Sequence, residues 1–187
     1  AYYRQITKFA VEKIQTDLLH YDNYFMGPGW DDNSVRRFRR YLQATFDAAT
    51  LQQHGINPAS VRPPVQGSGL LWRAWQEFRC RSLAESYHQM STYARTLRPD
   101  VLMECNPGGV RPMIVPPVDH GRLYTGGEAV WDESGTSGFR KGRLQSHIRT
   151  YKIARSMDNI VFAYTPTPLE AAESMAFNLD CLGAICW

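Results

Sequence analysis

Acidic side chains stand at three places where an apolar run of the sequence gives way to polar residues. Asp22, Glu104 and Glu128 each lie at, or just beside, the end of such a run. Two carboxyl groups placed on either side of a sugar can break a glycosidic bond. One attacks or stabilises the anomeric carbon, while the other protonates the leaving oxygen. The residue types therefore predict glycosidic chemistry from a pair among these acids.

Polar and aromatic residues near the acids predict contacts with a sugar. Carboxylate and amide groups hydrogen-bond to hydroxyls, and the flat apolar face of a Tyr or Trp ring can lie against a sugar ring. The candidates for binding the substrate are Asn23, Tyr24, Trp30, Glu104, Asn106, Trp131 and Asp132.

A purely structural role is the alternative for each of these residues. Asp-Asn pairs commonly cap a turn through the Asp side chain, a role open to Asp22. Glu104 lies among apolar residues, and a buried acid needs a partner such as Arg111 or Arg122. His20 precedes Asp22 by two residues and points to the same side of its strand. We expect His20 to be a hydrogen-bonded core side chain.

Strand-like apolar runs alternate with helical patterns along the chain. Helices are predicted over 2–16, 34–46, 70–97 and 140–156, and strands over 18–23, 101–106, 122–125, 160–164 and 182–187. This alternation predicts an α/β fold of parallel βαβ units, with active groups at the carboxyl ends of the strands. We expect roughly strands 4–8 of a (β/α)8 TIM barrel. The alternative is a five-stranded doubly wound sheet, which fits this length without further strands.

The length, with 43% hydrophobic and 21% charged residues, predicts one globular domain over residues 1–187. With the alternating pattern above, we expect this domain to be a partial barrel. The net charge of +3 is small. The densest cluster of basic residues, at 36–40, lies on a helical pattern in which Val35, Phe38 and Leu42 form the apolar side. We therefore expect the basic residues to form a solvated helix face, and we expect no nucleic-acid partner. No apolar run is long enough to span a membrane and no signal peptide is visible. Localisation stays open between cytoplasmic and secreted.

The sequence predicts neither a metal nor an organic cofactor. Its four cysteines show no CxxC spacing and no histidines at ligand distances, so reduced thiols are expected and a disulfide stays open; they are Cys80, Cys105, Cys181 and Cys186. No glycine fingerprint for a nucleotide follows the first strand. A Ser-His-Asp set and a nucleophile elbow are also missing from the sequence.

Two stretches of the chain resemble family 42 β-galactosidases and related hypothetical glycosyl hydrolases. Asp22-Asn23-Tyr24, followed by Phe38-Arg39-Arg40-Tyr41-Leu42, resembles their fourth-strand region, where an Asp-Asn pair ends the strand and a Phe-Arg-x-x-Leu helix follows. The resemblance continues through 98–106 and 159–187, and implies a TIM barrel that hydrolyses O-glycosyl bonds. That family has its acid/base Glu directly after Asp-Asn, where this chain has Tyr24. Its nucleophile ends the seventh strand, where residues 163–166 offer no carboxylate.

A second resemblance is to α-galactosidases. Leu18–Asn23 is similar to their Leu-Lys-Tyr-Asp-Asn motif, whose Asp is the nucleophile, with His20 in place of the Lys. Residues 124–128 are similar to the Thr-Thr-Gly-Asp motif that supplies their acid/base. This resemblance implies a retaining, galactosidase-like enzyme with Asp22 as nucleophile and Glu128 as general acid/base.

Two other functions stay open. Tyr24 at the position of the family 42 acid favours a catalytically inactive carbohydrate-binding barrel, and a doubly wound sheet would favour a small-molecule binding domain. A carbohydrate is the expected partner. A partial barrel exposes strand edges and apolar surface, so we also expect association in a homo-oligomer or with the remainder of a longer chain.

Overall fold

The computed structural model describes residues 2–27, 29–106, 113–114, 117–125, 129–132, 137–163 and 167–178. Their contacts divide the chain into two compact units. The first unit contains the described residues of Ala1–Tyr24, Ala84–Pro112 and His120–Trp187, and the second those of Phe25–Leu83 and Met113–Asp119. One domain over residues 1–187 stays a prediction.

The described residues form seven α-helices, named here in chain order. They are α1 (Tyr2–Phe9), α2 (Asp32–Thr45), α3 (Ala48–Gln53), α4 (Gly69–Leu97), α5 (His120–Leu123), α6 (Ile148–Ser156) and α7 (Pro168–Phe177). A π-helical turn, Ala10–Ile14, continues α1. Helix starts follow local capping chemistry, since the Asp31 carboxylate accepts the first free N–H groups of α2 and Thr167 forms a capping box with Glu170 at α7.

Eight strands form one parallel sheet and two antiparallel pairs within the described residues. They are β1 (Leu18–Tyr21), β2 (Leu102–Cys105), β3 (Met113–Ile114), β4 (Pro117–Val118), β5 (Ala129–Asp132), β6 (Gly138–Arg140), β7 (Arg143–Gln145) and β8 (Ile160–Ala163). The parallel sheet has the order β1-β2-β5-β8, while β3 pairs with β4 and β6 with β7. The protein therefore has an α/β architecture around a parallel sheet in its first unit.

The strand order follows the chain without a reversal among the described strands. A doubly wound sheet reverses its strand order at a switch point, whereas a barrel adds each strand on the same side as the last. The order β1-β2-β5-β8 is compatible with a barrel, and one half of a doubly wound sheet also has an order without a reversal. The predicted fifth strand, 182–187, lies outside the described residues.

Three of the predicted strands are confirmed, and one is wrong. The runs at 18–23, 101–106 and 160–164 contain β1, β2 and β8. The run at 122–125 instead completes α5 and a turn, and the third strand of the sheet is β5, in which all four residues are buried. A central parallel strand is covered on both faces, so its apolar run is continuous. Leu123 and Tyr124 are also buried, and burial alone did not separate a helix end from a strand.

The helix predicted over 140–156 is confirmed only in its second half, as α6. Residues before it form the antiparallel β6–β7 hairpin. The turn of this hairpin has Lys141 at φ 51° and Gly142 at φ 72°, and two successive positive φ angles are the requirement of a type I′ turn. Gly142 was therefore the local signal for a turn at this place, because glycine adopts a positive φ without steric cost.

The second unit has an aromatic core between α2 and α4. Phe38 and Trp75 are fully buried, with ring centroids 4.9 Å apart, and Phe78 stacks on Trp75 at 5.5 Å. Val35, Phe38 and Leu42 form the buried side of α2, as their spacing predicted. The arginines of this helix lie on its other side, where Arg36, Arg37 and Arg40 are exposed.

A close contact between Gly29 and Trp75 predicts a strong effect of Gly29→Ala. Gly29 has φ +75°, and a Cβ added to it would lie 2.8 Å from Cη2 of Trp75. We expect a loss of about 2–4 kcal/mol in the free energy of unfolding, from left-handed strain plus overpacking against a ring that is itself fully packed. Chemical denaturation measures it.

Gly55→Ala is the matched control for this prediction. Gly55 also has a left-handed φ, +64°, but its added Cβ would meet nothing within 4 Å. We expect a loss of only about 1–2 kcal/mol, from the backbone alone. Equal losses in the two variants would contradict a packing role for Gly29.

Candidate functional site

The turn after β1 presents the Asp22 carboxylate. Asn23, at φ 47°, donates from Nδ2 to Oδ2 of Asp22 at 2.8 Å, and Asn106 donates from Nδ2 to Oδ1 at 3.1 Å. The Asp22 side chain is nevertheless 62% exposed. Asp22 is thus oriented by two amides and accessible to a ligand.

Asn106, directly after β2, ties the ends of the two strands together. Its backbone N–H donates to the Tyr21 carbonyl at 3.1 Å, and its carbonyl accepts from the Tyr24 N–H at 3.2 Å. Asn106 itself is buried. The position of Asp22 therefore follows from main-chain bonds around it as well as from its own side chain.

His20 lies between two carboxylates. Its Nδ1 is 3.4 Å from Oε2 of Glu104, and its Nε2 is 3.7 Å from Oδ1 of Asp22. The register of the sheet produces this contact, because His20 in β1 pairs with Glu104 in β2. Glu104 is 1% exposed, and a buried acid that orients an imidazole toward an accessible group is a recurring catalytic arrangement.

The prediction that His20 is a core side chain was wrong, because its side chain is 39% exposed and lies between two carboxylates. The signal available was its position two residues before Asp22, which puts both side chains on one side of the strand. The sequence did not show that Glu104 is the partner of His20, because only the pairing of β1 with β2 brings the two side chains together.

Burial raises the pKa of the Glu104 carboxyl above its ordinary value, and the neighbouring His20 lowers it in part. No described residue donates a hydrogen bond to its buried Oε1. The expected partners were Arg111, which lies outside the described residues, and Arg122. The contact that the structure describes is instead His20. A carboxyl with a raised pKa is suited to hold and give a proton.

This raised pKa predicts how stability depends on pH. The folded protein holds the Glu104 proton more tightly than the unfolded chain, so it binds more protons between the ordinary pKa, 4.5, and the raised one. The free energy of unfolding should therefore fall as pH rises from 4.5 through that window. Urea unfolding at a series of pH values measures the decline.

Glu104→Gln removes this titration, and we expect its unfolding curve to lack the decline. The exposed Glu85 of α4 provides the control, since Glu85→Gln should keep the wild-type slope. In His20→Gln, which removes the neighbour that lowers the Glu104 pKa, the decline should extend to higher pH. An unchanged slope in Glu104→Gln would contradict the assignment.

Trp131 and Asp132 point to opposite faces of the sheet, as successive strand residues do. Trp131 is 8% exposed, with its ring edge-on to His20 at 5.7 Å and stacked on Phe162 at 6.3 Å. Asp132 is fully buried, and its Oδ2 is 3.2 Å from Nδ1 of His147. Trp131 thus belongs to the Asp22 cluster, whereas Asp132 forms a second acid–imidazole pair on the other face.

Tyr24 is held by packing and by a hydrogen bond. Its hydroxyl donates to Oγ of Ser86 at 2.9 Å, and its ring is edge-on to Tyr21 and to Tyr87. Burial raises the Tyr24 pKa to about 12, so the phenol is neutral at physiological pH. Tyr24 therefore cannot act as the acid/base that family 42 β-galactosidases have directly after their Asp-Asn pair.

The sequence also predicted Trp30 and Glu128 as site residues. Trp30 precedes α2 in the second unit and is 49% exposed. Glu128 lies outside the described residues, and β5, which follows it in the chain, begins at Ala129. The structure therefore brings together His20, Asp22, Asn23, Tyr24, Glu104, Asn106 and Trp131.

No group of three or more His, Cys, Asp or Glu side chains within the described ranges is arranged to hold a metal ion. Cys80 and Cys105 are present as thiols outside any disulfide, and the other two cysteines lie outside those ranges. Of the helices given above, none is both long and apolar enough to cross a membrane.

Comparisons with known proteins point to one fold. No protein-family model and no curated protein matches the chain. Among solved structures, it is similar to the crystal structure of a β-galactosidase from Bacillus circulans sp. alkalophilus, with a TM-score of 0.62 and 14% sequence identity over 87% of this chain. The chain spans 26% of that protein. At this identity the likeness shows a shared fold: the chain folds as a part of this β-galactosidase does.

Proposed function

We propose that the chain is part of a glycoside hydrolase, retaining and galactosidase-like, and that it supplies strands 4–8 of a (β/α)8 barrel. The observation that carries the proposal is the accessible Asp22 carboxylate, oriented by two amides at the carboxyl end of a parallel sheet. Active groups of parallel α/β folds lie at that end. The fold shared with a β-galactosidase supports the same class.

In the proposed reaction, Asp22 attacks the anomeric carbon while a carboxylic acid protonates the leaving oxygen. The resulting carboxylate then takes a proton from the water that releases the sugar from Asp22. Glu128 is the acid that the α-galactosidase resemblance implies. Glu104 is a second candidate for this acid, because only the His20 ring separates it from Asp22 and because burial raises its pKa.

The remaining residues of the cluster are proposed to bind the substrate. Asn23 and Asn106, which hold Asp22, would also contact sugar hydroxyls. Tyr24 and Trp131 are the proposed aromatic contacts, and Trp30 is a further aromatic contact predicted from the sequence. Asp132 is not a proposed contact, because it is fully buried on the other face of the sheet. The partner is a carbohydrate, and the mechanism requires no cofactor.

A catalytically inactive carbohydrate-binding barrel is the second candidate. It is supported by Tyr24, a neutral and packed side chain at the position where family 42 has its acid. A binding barrel needs the aromatic and amide groups but no proton donor.

Hydrolysis of a panel of α- and β-linked chromogenic glycosides tests the proposal, with the longest version of the chain. Asp22→Asn, Glu128→Gln and Glu104→Gln are assayed beside the wild type. We expect turnover of a galactoside that is lost in Asp22→Asn and in one of the two Glu variants, which names the acid. Sugar binding without turnover by the folded, complete protein would favour the binding barrel and contradict the hydrolase.

A further inference from the structure

The ring of His20 has a different carboxyl group on each side. The buried Glu104 lies on the Nδ1 side, with Oε2 at 3.4 Å, and the exposed Asp22 lies on the Nε2 side, with Oδ1 at 3.7 Å. Within the described residues these are the titratable groups in contact with the imidazole, and its third neighbour is the uncharged ring of Trp131. His20 therefore connects a carboxyl without access to solvent to one that a ligand can reach.

The burial of Glu104 determines how many protons the Glu104–His20 pair holds. An isolated carboxylate at 1% exposure is costly, and no described residue donates to its Oε1. The pair is uncharged overall in two arrangements, a carboxylic acid beside a neutral imidazole or a carboxylate beside an imidazolium. In both, one proton lies between Oε2 and Nδ1 and another is on Nε2. Burial therefore favours a proton on Nε2, the nitrogen that faces Asp22.

A donor on Nε2 suits the carboxylate of Asp22. Its Oδ2 accepts from Asn23 at 2.8 Å and its Oδ1 from Asn106 at 3.1 Å, so His20 would add a third donor. Donors to a carboxylate favour its ionised form and fix its orientation, and a nucleophile needs both. The distance of 3.7 Å is longer than a hydrogen bond, as catalytic contacts often are before a substrate binds.

We propose that His20 is a positioning residue, which donates from Nε2 to the Asp22 carboxylate and is held in that role by Glu104. The inference rests on the proposed function, in which Asp22 is the nucleophile. Glu104 then acts indirectly, because its buried carboxyl reaches Asp22 only through the His20 ring. Glu128 stays the acid that protonates the leaving oxygen.

NMR of the intact protein labelled with 15N-histidine measures the protonation of the ring directly. The 15N chemical shifts distinguish a nitrogen that carries a proton from a bare one, and His20→Gln identifies the His20 signals among those of the five histidines. We expect Nε2 of His20 to carry a proton at neutral pH. A bare Nε2 would overturn the proposal, because such a nitrogen accepts a hydrogen bond and cannot donate one to Asp22.

Two variants separate the contact with Asp22 from the contact with Glu104. His20→Gln places an amide nitrogen close to the position of Nε2, whereas the shorter side chain in His20→Asn ends near the position of Nδ1. His20→Gln therefore keeps a donor for Asp22 and loses the contact with Glu104, and His20→Asn does the reverse.

The two variants should have opposite effects on turnover and on stability. We expect His20→Asn to lower kcat on the best glycoside of the panel by about tenfold to a hundredfold, with little change in KM, because one hydrogen bond to a charged group is lost. His20→Gln should keep kcat within about threefold of wild type, since the donor is retained, but should lose more stability in urea unfolding than His20→Asn. Equal losses of kcat in the two variants would overturn the proposal and leave His20 a structural role alone.

The exposed His54 of the second unit provides the control. His54→Asn makes the same chemical change away from the sheet and should leave kcat and stability close to wild type.

The NMR and unfolding measurements do not depend on turnover, so the two proposals fail in different ways. A protonated Nε2 in a folded, complete protein that hydrolyses no glycoside would support the donor to Asp22 and contradict the hydrolase. Turnover that is lost in Asp22→Asn but is unchanged in His20→Asn would overturn the inference and leave the hydrolase.

Discussion

Asp22→Asn is expected to lower kcat on the best glycoside of the panel by on the order of 10⁴-fold or more. An amide of the same size keeps the space and much of the hydrogen bonding but cannot attack an anomeric carbon. The Asp22 side chain is largely exposed, so the substitution should leave the fold intact. Steady-state rates at saturating substrate measure the effect, with circular dichroism to verify folding.

Asp17→Asn is the matched control, at the other end of β1. Asp17 is also an exposed acid, and it pairs with Arg98 at 2.9 Å. Exposed ion pairs contribute little, so we expect wild-type kcat and a loss of stability below about 1 kcal/mol. Wild-type turnover in Asp22→Asn would remove Asp22 from the reaction and with it the retaining mechanism proposed here.

Trp75→Ala is expected to lower the free energy of unfolding of the second unit by about 3–5 kcal/mol. The indole is 1% exposed and contacts Phe38 and Phe78, and the guanidinium of Arg79 lies 5.7 Å from its ring centroid. Removing it leaves a large void that the two helices can fill only in part. Hydrogen exchange of the α2 amides under increasing urea measures this unit in particular.

Val65→Ala serves as the comparison for the core substitution. Val65 belongs to the same unit but is 72% exposed, so the change should stay within about 0.5 kcal/mol. A loss below about 1 kcal/mol in Trp75→Ala would mean that the aromatic cluster does not stabilise this unit.

Local patterns in the sequence were sufficient for much of the secondary structure. The apolar runs that became β1, β2 and β8 were identified directly, and so was the buried side of α2. In each of these elements the buried residues recur at a regular spacing along the chain, so a short stretch of sequence is enough to identify the element. The polar residues after β1 and β2 could be expected at one edge for the same reason.

The predictions from the sequence were wrong where a short stretch fitted both a helix and a strand. Leu123 and Tyr124 are buried in a short helix and turn, whereas the strand lies at Ala129–Asp132. The first half of the helix predicted over 140–156 is the β6–β7 hairpin. Short apolar runs fit a strand and a buried helix end equally, and only packing against β2 and β8 selects between them.

By itself, the sequence determined the ends of β1 and β2 and the polar residues that follow them, because those depend on neighbours along the chain. Only the tertiary structure decided that His20 lies between Asp22 and Glu104, and that Asp132 pairs with His147 on the opposite face. Both contacts join residues from separate elements. The parallel register of β1 and β2 and the packing of α6 create them, and a pattern along a single strand carries no information about which partner that register brings beside it.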